Sequence, residues 1–264
     1  MKKPPFPHYR RPTTHADKST KEVHHQSMKE NDSYSSVFAD NLEQIQHRIQ
    51  SACDLADRSH DEVSLLAVSK TKPIEYIEQF YALGQQQFGE NYLQEALLKI
   101  AEFSEPALQW HYIGAIQSNK TRPIAEHFDW VHTVSSLKVA KRLNSQRPDK
   151  ASPLNVLIQV NIDREESKSG VLEEDTAALV EAAREMSQLN LRGLMVIPKK
   201  QTNLDSTRDS FARTRQLQQS LADQYSLAHF NQLSMGMSED LELAITEGAT
   251  IIRIGSALFG PRDS

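Results

Sequence analysis

Eight short apolar runs alternating with segments of helical character constrain this 264-residue chain more than any other feature. The runs are Val63–Ser69, Gln87–Gly89, Gln109–Ile113, Trp130–Val134, Asn155–Ile162, Leu191–Ile197, His229–Ser234 and Thr250–Ile254. Several are continuous rather than alternating, as strands buried on both faces require. Helices are expected near 74–83, 91–103, 118–127, 136–145, 173–188, 204–225 and 238–247. A further helix, over 36–57, precedes the first strand. Ser35 and Ser36 can cap it, and Leu42, Ile45, Ile49, Ala52, Cys53 and Ala56 recur on one face. On that stripe Cys53 reads as a small core residue rather than a nucleophile.

Strands alternating with helices imply a parallel sheet, and eight is the number that closes a (β/α)8 TIM barrel, commonly one domain of about 250 residues. An open doubly wound sheet is the competing α/β arrangement. It normally carries a glycine-rich turn after its first strand, and no G-x-G-x-x-G occurs here. The hydrolase elbow G-x-S-x-G is absent too. The barrel is favoured, while periodicity by itself leaves closure of the sheet open.

Composition narrows the function classes. With 38% hydrophobic and 25% charged residues the chain reads as an ordinary globular protein. Its one cysteine excludes an intramolecular disulfide and a four-cysteine metal site, and fits a reducing compartment, so a cytoplasmic location is expected. Apolar runs such as Val156 to Val160 are too short to span a bilayer. A net charge of −5 without a basic, aromatic-interleaved patch argues against a nucleic-acid partner.

Residues 1–34 differ from the rest. Seven Lys/Arg against four Asp/Glu give this arm +3, so the remainder carries −8. Four prolines, four histidines and few apolar residues cannot offset their own ordering entropy, and a disordered extension is expected, with the barrel occupying 35–264. The arm lacks the apolar core of a secretory signal, and Pro4, Pro5 and Pro7 oppose the amphipathic helix of a transit peptide. His8, His15 and His24-His25 show no fixed ligand spacing, so no metal site is assigned.

In a barrel, chemistry belongs where the strands end. Lys70 directly follows Leu65-Leu66-Ala67-Val68-Ser69, and the period of two puts Leu66, Val68 and Lys70 on one face. A lysine at the barrel mouth backed by apolar side chains has its ammonium form disfavoured, and a neutral amine condenses with aldehydes to give a Schiff base. Position alone favours the blander reading, a solvated lysine at a strand–helix turn, as nearby Lys72 is read. The far end of the chain changes the balance. Ser234-Met235-Gly236-Met237-Ser238 follows the seventh run, and Arg253-Ile254-Gly255-Ser256 ends the eighth. Loops after strands seven and eight are where barrels hold phosphate, with small residues admitting backbone N–H groups to the anion.

These segments belong to a longer series. Leu66-Ala67-Val68-Ser69-Lys70-Thr71-Lys72, Phe88-Gly89-Glu90-Asn91-Tyr92-Leu93-Gln94-Glu95 and Trp110-His111-Tyr112-Ile113-Gly114 come first. Gln117-Ser118-Asn119-Lys120, Ser167-Lys168-Ser169-Gly170, Leu191-Arg192-Gly193-Leu194-Met195, Leu233 to Ser238 and Arg253-Ile254-Gly255 follow. Together, across roughly residues 36–262, they resemble the pyridoxal phosphate homeostasis protein family. That family shares the barrel of the alanine racemase N-terminal domain, fold type III among pyridoxal phosphate proteins. The resemblance implies pyridoxal 5'-phosphate as cofactor and Lys70 as the lysine of the internal aldimine. It implies Asn91 as a residue lining the cofactor, and Ser234, Gly255 and Ser256 as the phosphate cup. Ser256 stands where family members often have threonine and preserves the hydroxyl. Arg253 matches the arginine facing the pyridine nitrogen, and parity agrees, since Ile251 and Arg253 share one face. His111 and Lys168 receive no role.

An arginine there has a chemical consequence. An aspartate would keep the ring nitrogen protonated and the ring a strong electron sink, whereas a guanidinium cannot accept that proton. Racemases of this fold type work under the same limit with two bases, the second a tyrosine from a C-terminal β domain. Here the chain ends four residues after Gly260, and no such domain is expected. The favoured expectation is therefore a carrier or buffer of pyridoxal phosphate with little or no turnover and no catalytic residue, a monomer with no membrane partner, serving pyridoxal-phosphate-dependent apoenzymes. The alternative is a minimal-barrel amino-acid racemase drawing its second base from Tyr92, Tyr112 or His111.

Overall fold

An apolar run buries both faces only if its sheet is covered by helices outside and filled by side chains within. The computed structural model, which describes residues 18–199 and 203–261, has that construction. The strands are β1 Ser64–Val68, β2 Gln87–Glu90, β3 Gln109–Tyr112, β4 Trp130–Val134, β5 Leu154–Val160, β6 Leu189–Val196, β7 Gln232–Ser234 and β8 Ile251–Ile254. Neighbours in this order pair in parallel, and β1 also pairs with β8, closing the barrel. The closure left open by periodicity is thus settled in favour of the (β/α)8 fold.

Among the described residues the helices are α1 Lys18–Leu55, α2 Ile74–Ala82, α3 Leu93–Glu102, α4 Thr121–His127, α5 Leu137–Gln146, α6 Glu173–Arg184, α7 Leu204–Tyr225, α8 Leu241–Thr246 and the short α9 Ser256–Phe259. The expected segment 204–225 is reproduced to the residue, and Asn203 caps it by accepting from the Asp205 N–H. Strand seven is shorter than expected because a turn at Leu227–Phe230 occupies its start.

The chain divides into two compact units, Met1–Val37 and Phe38–Ser264. The extension expected over 1–34 lies outside the described residues as far as residue 17. From Lys18 the backbone is helical and continuous with α1, so Ser35 and Ser36 lie within a helix instead of capping one. No glycine or proline occurs between 18 and 55 to stop it. Within the second unit, α1 buries Phe38, Leu42, Ile45, Ile49, Ala52 and Cys53, the stripe read from the sequence, with Ala56 half-buried at its end.

Strand parity separates two apolar layers. Ala67, Phe88, Ile158, Ile252 and Ile254 face the helices and join the large core, whereas Leu66, Leu157, Met195 and Ile251 form a second cluster, joined by Ile113, Trp130 and Ile197. Leu66 lies opposite Arg253 in the β1–β8 register, so this second cluster and Arg253 share the inner face. Burying each large aliphatic side chain contributes roughly 1.5–3 kcal/mol, and the filled interior makes the strand ends the place for chemistry.

Candidate functional site

Four adjacent strands, β7, β8, β1 and β2, carry all six residues singled out in the sequence. Ser234 ends β7, Arg253 lies in β8, Gly255 and Ser256 follow it, Lys70 lies two residues beyond β1, and Asn91 directly follows β2. Because β7 pairs with β8, β8 with β1 and β1 with β2, these positions form one arc of the C-terminal mouth. Burial grades across the arc. Ser234 and Arg253 are buried, Lys70, Asn91 and Gly255 half-buried, and Ser256 exposed.

The turn bearing Lys70 is held on both sides. Ser69 donates its backbone N–H to Gly89 O, and its carbonyl accepts from the Lys72 N–H. Its hydroxyl donates to Glu90 Oε1 at 2.7 Å. Thr71, on the other side, adopts φ 63°, a left-handed conformation that is an outlier for a β-branched residue. Such a residue costs of order 1–3 kcal/mol and persists only where its surroundings over-determine it. Here the Glu95 carboxylate accepts its N–H at 2.7 Å. Lys72 corrects the sequence reading. It is buried, not solvated, and its Nζ donates to the Pro261 carbonyl at 2.7 Å. The chain returning after β8 supplies that acceptor, nearly two hundred positions away.

Asn91 owes its place to Gly114. A Cβ at Gly114 would lie 2.1 Å from the Asn91 carbonyl oxygen, so only glycine lets the turn after β3 pack so closely against the turn after β2. The Thr133 hydroxyl donates to the Gly114 carbonyl and fixes this contact from β4. The Asn91 Oδ1 is buried and has no hydrogen-bond partner among the described residues. A buried acceptor left open is costly unless something else satisfies it.

Arg253 begins a polar chain through the barrel interior. Its Nη1 donates to Ser234 Oγ at 2.8 Å and its Nη2 to the Val196 carbonyl at 3.0 Å. Ser234 Oγ lies 2.9 Å from His132 Nδ1, and His132 Nε2 lies 2.9 Å from His111 Nδ1. Arginine offers donors only, so Ser234 accepts from it and can pass its own proton toward His132. His132 then carries its proton on Nε2 and donates to His111, whose ring stacks on Trp130 with an interplanar angle of 4°. The outer end, His111 Nε2, has no partner among the described residues. Burial pushes the Arg253 guanidinium down to about 10, against the pull of Asp240, so it remains a cation at neutral pH. Burial pushes His111 down to about 3, and burial, His111 and Arg253 together hold His132 well below the ordinary histidine value. Both imidazoles are neutral at pH 7.

Sequence reasoning left Glu90, Glu95, Lys99 and His132 without roles. Lys99 is buried on α3 and donates to the Ser69 carbonyl, Glu90 and Glu95. The Glu95–Lys99 spacing was visible, but i,i+4 pairs are ordinarily solvated. His132 shares its strand face with Trp130 by parity. Of the three candidate second bases, Tyr112 faces the helices, packs edge-on against Phe128 and donates to the Ala115 carbonyl. His111 is sealed in the interior, and Tyr92 is exposed beside Asn91.

The family described as alanine racemase, N-terminal domain, matches residues 41–263. Proteins named pyridoxal phosphate homeostasis protein are similar to this chain throughout the barrel. The one from Pseudomonas aeruginosa is 52% identical over 228 residues, 86% of this chain and 97% of its own length. The one from Escherichia coli is 47% identical over 230 residues, with the same coverage. The solved structure of PipY from Synechococcus elongatus with PLP bound is 39% identical, covers 82% of this chain and all of its own, and superposes with a TM-score of 0.73. An alanine racemase from Corynebacterium glutamicum, 17% identical over 83% of this chain and 62% of its own, shares the fold with a TM-score of 0.63. A barrel closed by eight parallel strands, the motif series in family order and matches of this extent place the chain in the pyridoxal phosphate homeostasis protein family, on the alanine racemase N-terminal-domain fold.

Proposed function

We propose that this chain binds pyridoxal 5'-phosphate at the barrel mouth through Lys70 and takes part in homeostasis of that cofactor, holding it for release to pyridoxal-phosphate-dependent apoenzymes. The observation that carries the reading is the arc of Lys70, Asn91, Arg253, Gly255 and Ser256 on adjacent strands. The open Asn91 Oδ1 fits a polar ligand at this mouth. When bound, the cofactor would supply an aldehyde for condensation with a primary amine. Lys70 would provide that amine. Gly255 and Ser256, half-buried and exposed just beyond β8, provide the approach for the phosphate. Ser234 supports Arg253 from inside the barrel, its hydroxyl engaged by Arg253 and His132.

The same residues support a reading of holding without turnover. Arg253 stays cationic and offers donors only, so it could donate to a ring nitrogen but not accept from a protonated one, which would leave the ring unprotonated and a weak electron sink. Tyr112 faces the helices and His111 is neutral and enclosed, which speaks against either as a second base, so the turnover measurement bears on Tyr92, exposed beside Asn91. The test combines two measurements on the full-length protein. Borohydride is expected to fix the cofactor to Lys70, and Lys70→Ala to abolish that labelling. Incubation of the loaded protein with each L-amino acid is expected to yield no D-enantiomer at enzymatic rates. Racemisation on the order of 1 per second or faster would overturn the non-turnover reading.

A further inference from the structure

Lys70 lies between two residues gripped by one cluster of charges. Lys99 Nζ donates to the Ser69 carbonyl at 2.8 Å, to Glu90 Oε1 at 2.7 Å and to Glu95 Oε1 at 2.6 Å. Glu90 Oε1 also accepts the Ser69 hydroxyl, and Glu95 Oε1 accepts the Thr71 N–H. The positions immediately before and after Lys70 are therefore tied to the same three side chains. Glu90 is fully buried and the Lys99 side chain is 7% exposed. Burial drives the Glu90 carboxyl above its ordinary value against the opposing pull of Lys99.

A buried ion pair is a poor way to stabilise a fold, because desolvation consumes most of the attraction. Its use here is better matched to geometry. The left-handed Thr71 turns the chain sharply at the lysine, and the Glu95 carboxylate holds the N–H that this conformation presents. We propose that Glu90, Glu95 and Lys99 are positioning residues that fix the backbone of Lys70 and so set the direction in which its amine meets the cofactor. The proposal rests on Lys70 being the attachment lysine. None of the three touches the reacting atoms; they act through Ser69 and Thr71.

The test uses the full-length chain freed of cofactor, with Glu95→Ala, Glu95→Gln, Lys99→Met and Lys70→Ala. Glu95 is half-exposed, so its variants are the ones least exposed to folding failure. The readouts are the rate of borohydride-trappable attachment of pyridoxal phosphate, the pH midpoint of the visible absorption band and, separately, thermal melting. Losing one charge-assisted hydrogen bond at the turn is expected to slow attachment by about tenfold in Glu95→Ala and to move the pH midpoint. Glu95→Gln, whose amide oxygen can still accept from Thr71, is expected to recover to within about twofold to threefold of wild type. Lys99→Met is expected to resemble Glu95→Ala. If Glu95→Ala and Lys99→Met melt lower yet attach cofactor at the wild-type rate and midpoint, the cluster is merely structural and the proposal fails. If Lys70→Ala still attaches cofactor, the attachment site itself is misassigned, and the positioning claim falls with it.

Discussion

Arg253 reaches across the β7–β8 pair to donate from Nη1 to Ser234 Oγ, 2.8 Å away, and that hydroxyl meets His132 Nδ1 on its other side. Removing it in Ser234→Ala leaves a buried guanidinium N–H and a buried ring nitrogen both short of a partner. The expected loss is about 1.5–3 kcal/mol of unfolding free energy, the range for hydrogen bonds to charged groups, measured by urea denaturation. The ligand signature differs from that of a phosphate contact. Ser234→Ala is expected to weaken pyridoxal and pyridoxal phosphate alike, whereas Ser256→Ala weakens only the phosphorylated form. Equal behaviour of the two variants in a binding titration would contradict this division.

Stability is expected to fall on acidification, and the buried histidines supply the reason. His111 and His132 have values below that of a free imidazole, so below pH about 6.5 the unfolded chain takes up protons that the folded chain refuses. Their contribution is complete above that pH and is lost progressively toward pH 3, where His111 finally titrates. Each contributes a slope of about 1.4 kcal/mol per pH unit in that window. His111→Gln, compared with wild type by denaturant titration between pH 4 and 7, is expected to show a slope shallower by about that amount.

Gly114→Ala tests how the Asn91 turn is placed. The new methyl carbon would meet the Asn91 carbonyl oxygen at 2.1 Å, a backbone atom that cannot swing aside. The two turns must separate, at a cost comparable to core overpacking, about 1–3 kcal/mol. A melting temperature equal to wild type, together with unchanged cofactor affinity, would show that the contact is relaxed without consequence.

Phe38→Ala probes the seating of α1. Phe38 is buried against Phe80, Tyr76 and Phe259, with ring centroids 4.9, 4.7 and 6.5 Å away. Truncation is expected to cost about 3–5 kcal/mol, read from the denaturation midpoint. A loss under about 1 kcal/mol would mean that the site collapses around the vacancy.

The strands were legible because burial on both faces imposes continuous apolar runs, and residue parity was legible because a strand has no choice of period. Hence Ile251 and Arg253 fall on one face of β8 and Ile252 and Ile254 on the other by parity alone, while the structure identifies the first face as the inner one. Charged residues resisted the same reading. Lys72 and Lys99 look like surface lysines until the Pro261 carbonyl and the Ser69 turn are known to lie over them. Their partners are distant or belong to another element, and no local pattern announces a desolvated cation. Ser234 shows the intermediate case. Its place at the end of β7 was legible, but the bonds its hydroxyl makes to Arg253 and His132 depend on a rotamer that sequence does not display.

The packed interior has a kinetic corollary. Leu66, Leu157, Met195 and Ile251 fill the barrel interior, so a molecule seated at Lys70, as proposed, would come and go through the mouth. Under the proposed function, arrival and departure would then take turns. A recipient protein would have to collect the cargo at the same entrance through which a replacement is loaded.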